Sequence, residues 1–241
     1  MEYKMSAAAW VGRRHQELGV PCQDCFALER SEDARVCCAA LADGAGSRTR
    51  SELGAACVTR CVSRLLCGEF DALWETEDLA GYLVRRCVQA LALEEPPVYE
   101  LASTLLFFAG HSDGRWIAGH LGDGVQIHVG DDGALSVFSP PENGAYQNET
   151  FFLTAPDAAE HLRLRRGRSE GPGSLLLMSD GMSESLYQYA TGTPAPACRK
   201  VAQWLRDGDE EAVSQALEQN MKQVFSLRTG DDLSLAAVCW E

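Results

Sequence analysis

Apolar residues fall along this chain in two rhythms. In the first, short unbroken runs stop abruptly at turn residues. Val36-Cys37-Cys38-Ala39-Ala40-Leu41-Ala42 runs into Asp43-Gly44, residues 116–122 run into Asp123-Gly124, and Leu175-Leu176-Leu177-Met178-Ser179 runs into Asp180-Gly181. Runs of this kind read as strands covered on both faces. The acidic pair Asp231-Asp232 stands just before another such run, residues 233–240. In the second rhythm apolar residues recur every four positions. Leu53, Cys57, Cys61 and Leu65 predict a helix that starts at a capping box, Thr49 with Glu52, and ends near residue 67. Leu79, Leu83, Cys87 and Leu91 predict a second helix over roughly 76–93.

The remaining elements follow from turn chemistry. Strands are expected over 5–12 and 25–28, with a polar hairpin at 29–34. Residues 102–110, 115–121, 124–130 and 134–138 read as an antiparallel meander, with Ser112-Asp113-Gly114 and Asp131-Asp132-Gly133 as hairpin turns. Those turns account for Asp113, Asp131 and Asp132 without any site. Residues 139–149 read as a loop, 151–153 and 162–164 as short strands, and 182–189 and 196–205 as helices. Asp209 caps a last helix. Strands, two helices, strands, helices and a final strand predict an α+β layered sandwich with mostly antiparallel sheets.

Four acidic strand ends, far apart in sequence, suggest one carboxylate cluster in space. Like charges held together and partly buried disfavour ionisation, so such a cluster calls for cations. Hard oxygen donors suit magnesium or manganese. The register of the last strand bears on which of the final pair takes part. Positions 231, 233, 235, 237 and 239 share one side, which carries the larger apolar residues; that side is expected to face between the sheets and so to turn Asp231 toward the cluster.

Composition narrows the setting. The 241 residues are 46% hydrophobic and contain no linker or repeat, which favours one domain over 1–241. A net charge of −14 argues against nucleic acid or an anionic membrane as partner. No apolar run approaches the roughly 18 residues of a membrane span, and residues 1–5 lack a signal-peptide core. The ten Cys then read as reduced thiols of a cytoplasmic protein, expected as a monomer. Cys22-Gln23-Asp24-Cys25 has no second pair at zinc spacing, so neither a zinc nor a redox site is expected there. Asn148-Glu149-Thr150 matches a glycosylation sequon that has no meaning in such a compartment.

At Gln23-Asp24, Ala42-Asp43-Gly44-Ala45-Gly46-Ser47, Ser103-Thr104-Leu105, Gly122-Asp123-Gly124, Ser179-Asp180-Gly181 and Gly230-Asp231-Asp232-Leu233-Ser234 the chain resembles the protein phosphatase 2C type of metal-dependent serine/threonine phosphatases, in their compact bacterial form. These pieces occur in the family's order and span nearly the whole chain. Each is weak alone; the ordered set is specific. The resemblance implies a four-layer α-β-β-α sandwich, two sheets flanked by helix pairs, with two divalent ions (manganese or magnesium) at one edge. It implies metal ligation by Asp24, Asp43, Asp180, Asp231 and the main-chain carbonyl of Gly44, with Asp43 bridging the ions and Asp123 beside them where a third ion can bind. It implies hydrolysis of phosphoserine and phosphothreonine by metal-activated water, with Asp43 and Asp180 catalytic. The partner would be a phosphoprotein, phosphorylated by a serine/threonine kinase.

The chain also departs from the family. Many relatives carry an Arg for the substrate phosphate five residues before Asp24, where this chain has Gly19. Arg13, Arg14, His15 and Arg48 are the candidates to replace it. His15 stands where some bacterial relatives carry His and is a candidate general acid. Gly124 replaces a common Ser, and Asp232 a common Asn with a local hydrogen-bonding role. Two rival readings stay open: a phosphatase-like sensing or scaffolding module, and a hydrolase of small phosphoesters.

Overall fold

The computed structural model describes residues 1–143 and 150–241. The Asn of the sequon and most of the expected 139–149 loop therefore lie outside the described residues. In chain order the elements are β1 (Tyr3–Trp10), α1 (Arg13–Leu18), β2 (Cys25–Arg30), β3 (Val36–Ala42), α2 (Ser51–Glu75), α3 (Leu79–Leu91), β4 (Leu105–His111), β5 (Arg115–Leu121), β6 (Val125–Gly130) and β7 (Leu135–Ser139). They continue with α4 (Ala158–His161), β8 (Arg163–Arg168), β9 (Gly173–Met178), α5 (Asp180–Leu186), β10 (Tyr187–Gln188), β11 (Thr193–Pro194), α6 (Ala197–Asp207), α7 (Glu210–Gln223) and β12 (Leu233–Trp240).

Two five-stranded sheets carry the fold, in the orders β1-β12-β9-β6-β7 and β2-β3-β4-β5-β8, and every ladder within them is antiparallel. Helices α2 and α3 cover the outer face of the second sheet, and α6 and α7 that of the first, which gives the expected α-β-β-α layering. The unbroken apolar run of β3 follows from this arrangement. Cys38, Ala40 and Ala42 pack under α2 and α3, whereas Cys37, Ala39 and Leu41 meet the other sheet. Period-two burial on both sides leaves no strand position for a polar residue.

The structure corrects several local expectations. The four strands 102–138 are not one meander: β4 and β5 belong to one sheet and β6 and β7 to the other, so the chain changes sheets at Gly122-Asp123-Gly124. Two hairpins with good turns look alike in sequence whether or not they share a sheet. The Thr49–Glu52 capping box does not form. Thr49 donates instead to Glu100, while Glu52 pairs with Arg50, and α2 starts at Ser51. That helix also runs past residue 67, through a non-helical Glu69, to Glu75. Residues 151–153 are not a strand, and α1 and the small β10–β11 hairpin went unpredicted. Finally, Leu233, Leu235, Ala237 and Cys239 face α6 and α7, while Ala236, Val238 and Trp240 lie between the sheets. The bulkier face of β12 thus points opposite to expectation.

Close packing of α2 on the segment before β4 depends on Gly54. A methyl group there would enter the van der Waals envelope of the Leu101 carbonyl. Gly54→Ala should therefore lower the melting temperature, because overpacking of about 1–3 kcal/mol exceeds the gain of about 1 kcal/mol in helix propensity. Thermal denaturation followed by circular dichroism measures this, and an unchanged or raised midpoint contradicts it.

Candidate functional site

The ends of β3, β5 and β9 converge at one edge of the two sheets. Asp43 leaves β3 with its backbone clamped: its N–H donates to Thr104 Oγ1 (2.9 Å), and the Thr104 N–H donates back to the Asp43 carbonyl (2.8 Å). Gly44 then bridges to Ser103 and donates its N–H to the Gln23 carbonyl at 3.1 Å. Asp180 is the first residue of α5, immediately beyond β9, and its Oδ1 accepts the Gly181 N–H at 2.5 Å. Asp123 lies at the change of sheet and accepts a hydrogen bond from Thr150 Oγ1. One oxygen from each of Asp43, Asp123 and Asp180 lies within 4.8 Å of the others.

These three carboxylates open into a cavity of about 560 Å³, also lined by Gly44, Asp231, Asp232, His15, Arg14 and Arg48. Asp231 is exposed, and its Oδ1 accepts the Asp232 N–H at 2.9 Å. Asp24 lies deeper. It is 6% exposed, does not line the cavity, and stands outside the group of three. Among the described residues its Oδ2 has no hydrogen-bond partner.

The electrostatics are those of acids crowded together. Burial, followed by repulsion from Asp24, Asp180 and Asp123, raises the Asp43 carboxyl well above the usual carboxylate range. Burial, with the charges of Asp123 and Asp231, pushes Asp180 up to about 7. Asp24 also reaches about 7, chiefly through burial, although Ser234 and Ser179 hold it down in part. Burial raises Asp123, opposed by its bond from Thr150. Protons relieve such a cluster at low pH, and divalent cations relieve it at neutral pH. The group of three offers only carboxylate oxygens, a donor set that fits hard cations such as magnesium or manganese.

Arg14, Arg48 and His15 reach the cavity. Arg13 is exposed and does not line it. Gly19, where an Arg was the expected phosphate ligand, closes α1 in the left-handed conformation (φ 67°), which a β-carbon disfavours. Asp113 and Asp132 accept main-chain N–H groups of their own hairpins, and Asp131 pairs with Arg206, as expected of turn residues. His120 is buried against Arg163 and Ser139, and burial, then the Arg163 charge, lowers it to about 3. Sequence reasoning did not foresee the clamp by Thr104 or the contact of Thr150 with Asp123. The first had a signal, a Ser-Thr pair just ahead of a buried strand; the second had none.

The sequence profile of the protein phosphatase 2C family matches residues 11–222. No curated protein matches the chain. Among solved structures, the S. agalactiae serine/threonine phosphatase superposes with a TM-score of 0.72 at 16% identity, over 98% of this chain and 98% of that one. PppA, a regulatory component of the type VI secretion system in Pseudomonas aeruginosa, gives 0.67 at 17%, over 100% and 99%. The catalytic domain of the serine/threonine protein phosphatase PstP, solved with 2 manganese ions, gives 0.65 at 18%, over 99% of each chain. At these identities the structural likeness is one of fold.

Proposed function

Because the chain belongs to the protein phosphatase 2C family, we propose that it is a metal-dependent phosphatase acting on phosphoserine and phosphothreonine in proteins. The observation that carries this reading is the convergence of Asp43, Asp123 and Asp180 within 4.8 Å in the wall of a cavity. Asp43, Asp180, Asp231 and the Gly44 carbonyl would hold two divalent cations, manganese or magnesium, with Asp123 available to a third. Asp24, buried close to Asp43 and with its Oδ2 unpartnered among the described residues, would join them. Such cations supply, when bound, an activated water for in-line attack and neutralisation of phosphoryl charge.

The chain's own residues do the rest. Arg14 and Arg48, both at the cavity wall, orient the phosphate in place of the Arg absent at Gly19. The water oxygen bonds to phosphorus, and the bond from phosphorus to the seryl or threonyl oxygen breaks with its electron pair on that oxygen. His15 delivers a proton there, and the proton lost by the water passes to solvent. No covalent phosphoenzyme is required, and Ser or Cys nucleophiles have no part.

Release of phosphate from a phosphoserine peptide and from p-nitrophenyl phosphate, with manganese, magnesium or chelator, tests the proposal. Cation-dependent turnover of the peptide is expected. Turnover of the aryl ester alone would favour a small-phosphoester hydrolase. Cation binding without turnover of either substrate would favour a sensing module, the reading that the missing Arg supports.

A further inference from the structure

Asp232 is buried, at 2% exposure, yet no cationic side chain of Lys or Arg meets it among the described residues. Three donors surround it instead. Its Oδ1 accepts the Gly12 N–H at 2.6 Å, and its Oδ2 accepts the Gln23 N–H at 2.6 Å and meets His15 Nδ1 at 2.9 Å. Each oxygen of Asp232 already accepts a main-chain N–H, so the carboxyl acts as an acceptor here and the proton of this contact belongs to His15 Nδ1. The other ring nitrogen, Nε2, then has no hydrogen-bond partner among the described residues.

The place of the ring gives this pairing a direction. His15 sits in α1, a helix of 6 residues whose start is fixed by the same carboxylate through Gly12 and by the bond from the Arg14 N–H to the Gly230 carbonyl (3.1 Å). The His15 side chain is 14% exposed, and it lines the cavity that holds Asp43, Asp180 and Asp231. The contact of Nδ1 with Asp232 favours one orientation of the ring. A histidine that lines a cavity, with one ring nitrogen held by a carboxylate and the other left without a partner, has the arrangement suited to proton transfer at the second atom.

We infer that Asp232 is a positioning residue for proton delivery: it fixes the tautomer and orientation of His15 so that Nε2 serves the leaving oxygen of the substrate. The inference rests on the phosphatase reading above. With both oxygens engaged by residues 12, 15 and 23, Asp232 acts through His15. The plain alternative is a strut, in which Asp232 merely ties residues 12–15 to residue 23.

The choice of leaving group separates the two. A seryl alkoxide needs a proton as it departs, whereas p-nitrophenolate hardly does. Asp232→Asn and His15→Ala should each lower kcat on a phosphoserine peptide by roughly tenfold or more, with little change in KM, and should lower kcat on p-nitrophenyl phosphate far less. The double variant should lose no more than His15→Ala alone. Equal losses on both substrates, or additive losses in the double variant, would overturn the positioning role. Asp232→Asn also turns an amide NH₂ toward at least one main-chain N–H, so it can fail to fold. Nitrogen-15 spectroscopy of the wild-type protein, with the His15 signals assigned by their absence in His15→Ala, then decides. Neutral His15 should carry its proton on Nδ1; a proton on Nε2 would overturn the pairing. That spectrum needs no turnover, so an inactive protein would defeat the phosphatase reading while still testing Asp232 against His15.

Discussion

Asp43→Asn should abolish cation-dependent phosphatase activity while leaving the fold intact. The backbone at this position is fixed from both sides, by the Thr104 hydroxyl on the N–H and the Thr104 N–H on the carbonyl. Replacing the carboxyl by an amide disturbs neither bond. The side chain stands among the charges of Asp24, Asp180 and Asp123, which raise it well above its ordinary range, so an amide that needs no proton to be buried there should, if anything, relieve the cation-free protein. What disappears is the donor at the centre of the acidic group. A loss of more than about a hundredfold in kcat/KM is expected, comparable to removing one preorganised electrostatic contact from a reacting centre. The melting midpoint without cations should stay level or rise. A folded Asp43→Asn protein that kept a tenth of wild-type turnover would refute the assignment. Asp131→Asn is the matched control, since Asp131 lies at the β6–β7 turn beside Arg206 and should be nearly silent.

What the sequence revealed, and what it hid, divides along physical lines. Asp43 and Asp180 were legible because each ends an apolar run whose length and abrupt stop mark a strand buried on both faces. Chain ends of such strands occur at sheet edges, so acids placed there could be expected to meet. The third member of the compact group, Asp123, was legible as a strand end, but the change of sheet that brings it to the site was not. Nothing local distinguishes β5–β6 from an ordinary hairpin partner, because the choice of sheet is settled by packing between layers. The same holds for β12. Its two faces differ little in apolar content, both are covered, and which layer receives the larger residues depends on the helices opposite.

Asp24 shows the converse limit. A motif names it for the metal set, but only the structure shows its depth: it is 6% exposed, against Ser179 and Ser234, and does not line the cavity. Proximity in a motif does not specify depth. Asp232 is hidden for a similar reason. Its value lies in three donors from residues 12, 15 and 23, more than two hundred positions away in the chain. α1 escaped notice because six residues without a buried apolar face carry no helical rhythm. Tertiary hydrogen bonds hold it, and it positions the histidine.

Removing divalent cations should make stability fall as pH rises through neutrality, and restoring them should abolish that slope. In the cation-free fold Asp24 and Asp180 titrate near 7, and Asp43 lies well above its ordinary range. In the unfolded chain the same groups titrate near about 4. The folded state therefore binds more protons than the unfolded state across the window between those values. A group with its folded pKa raised contributes stability that is whole below the unfolded value and is lost as pH climbs through the folded value. The melting temperature of chelated protein should thus decline from about pH 5 to pH 8. Cations held by the ionised acids reverse the preference, because they bind the native state alone and bind it better as protons leave. A hundredfold excess over the dissociation constant contributes about 2.7 kcal/mol, so the gap between loaded and chelated midpoints should widen steadily with pH. Asp43→Asn should flatten the chelated slope in part and shrink the gap. Melting curves at several pH values, with manganese and with chelator, measure all of these quantities. Parallel curves that keep one separation at every pH would mean that the acidic group of β3, β5 and β9 does not hold the cation.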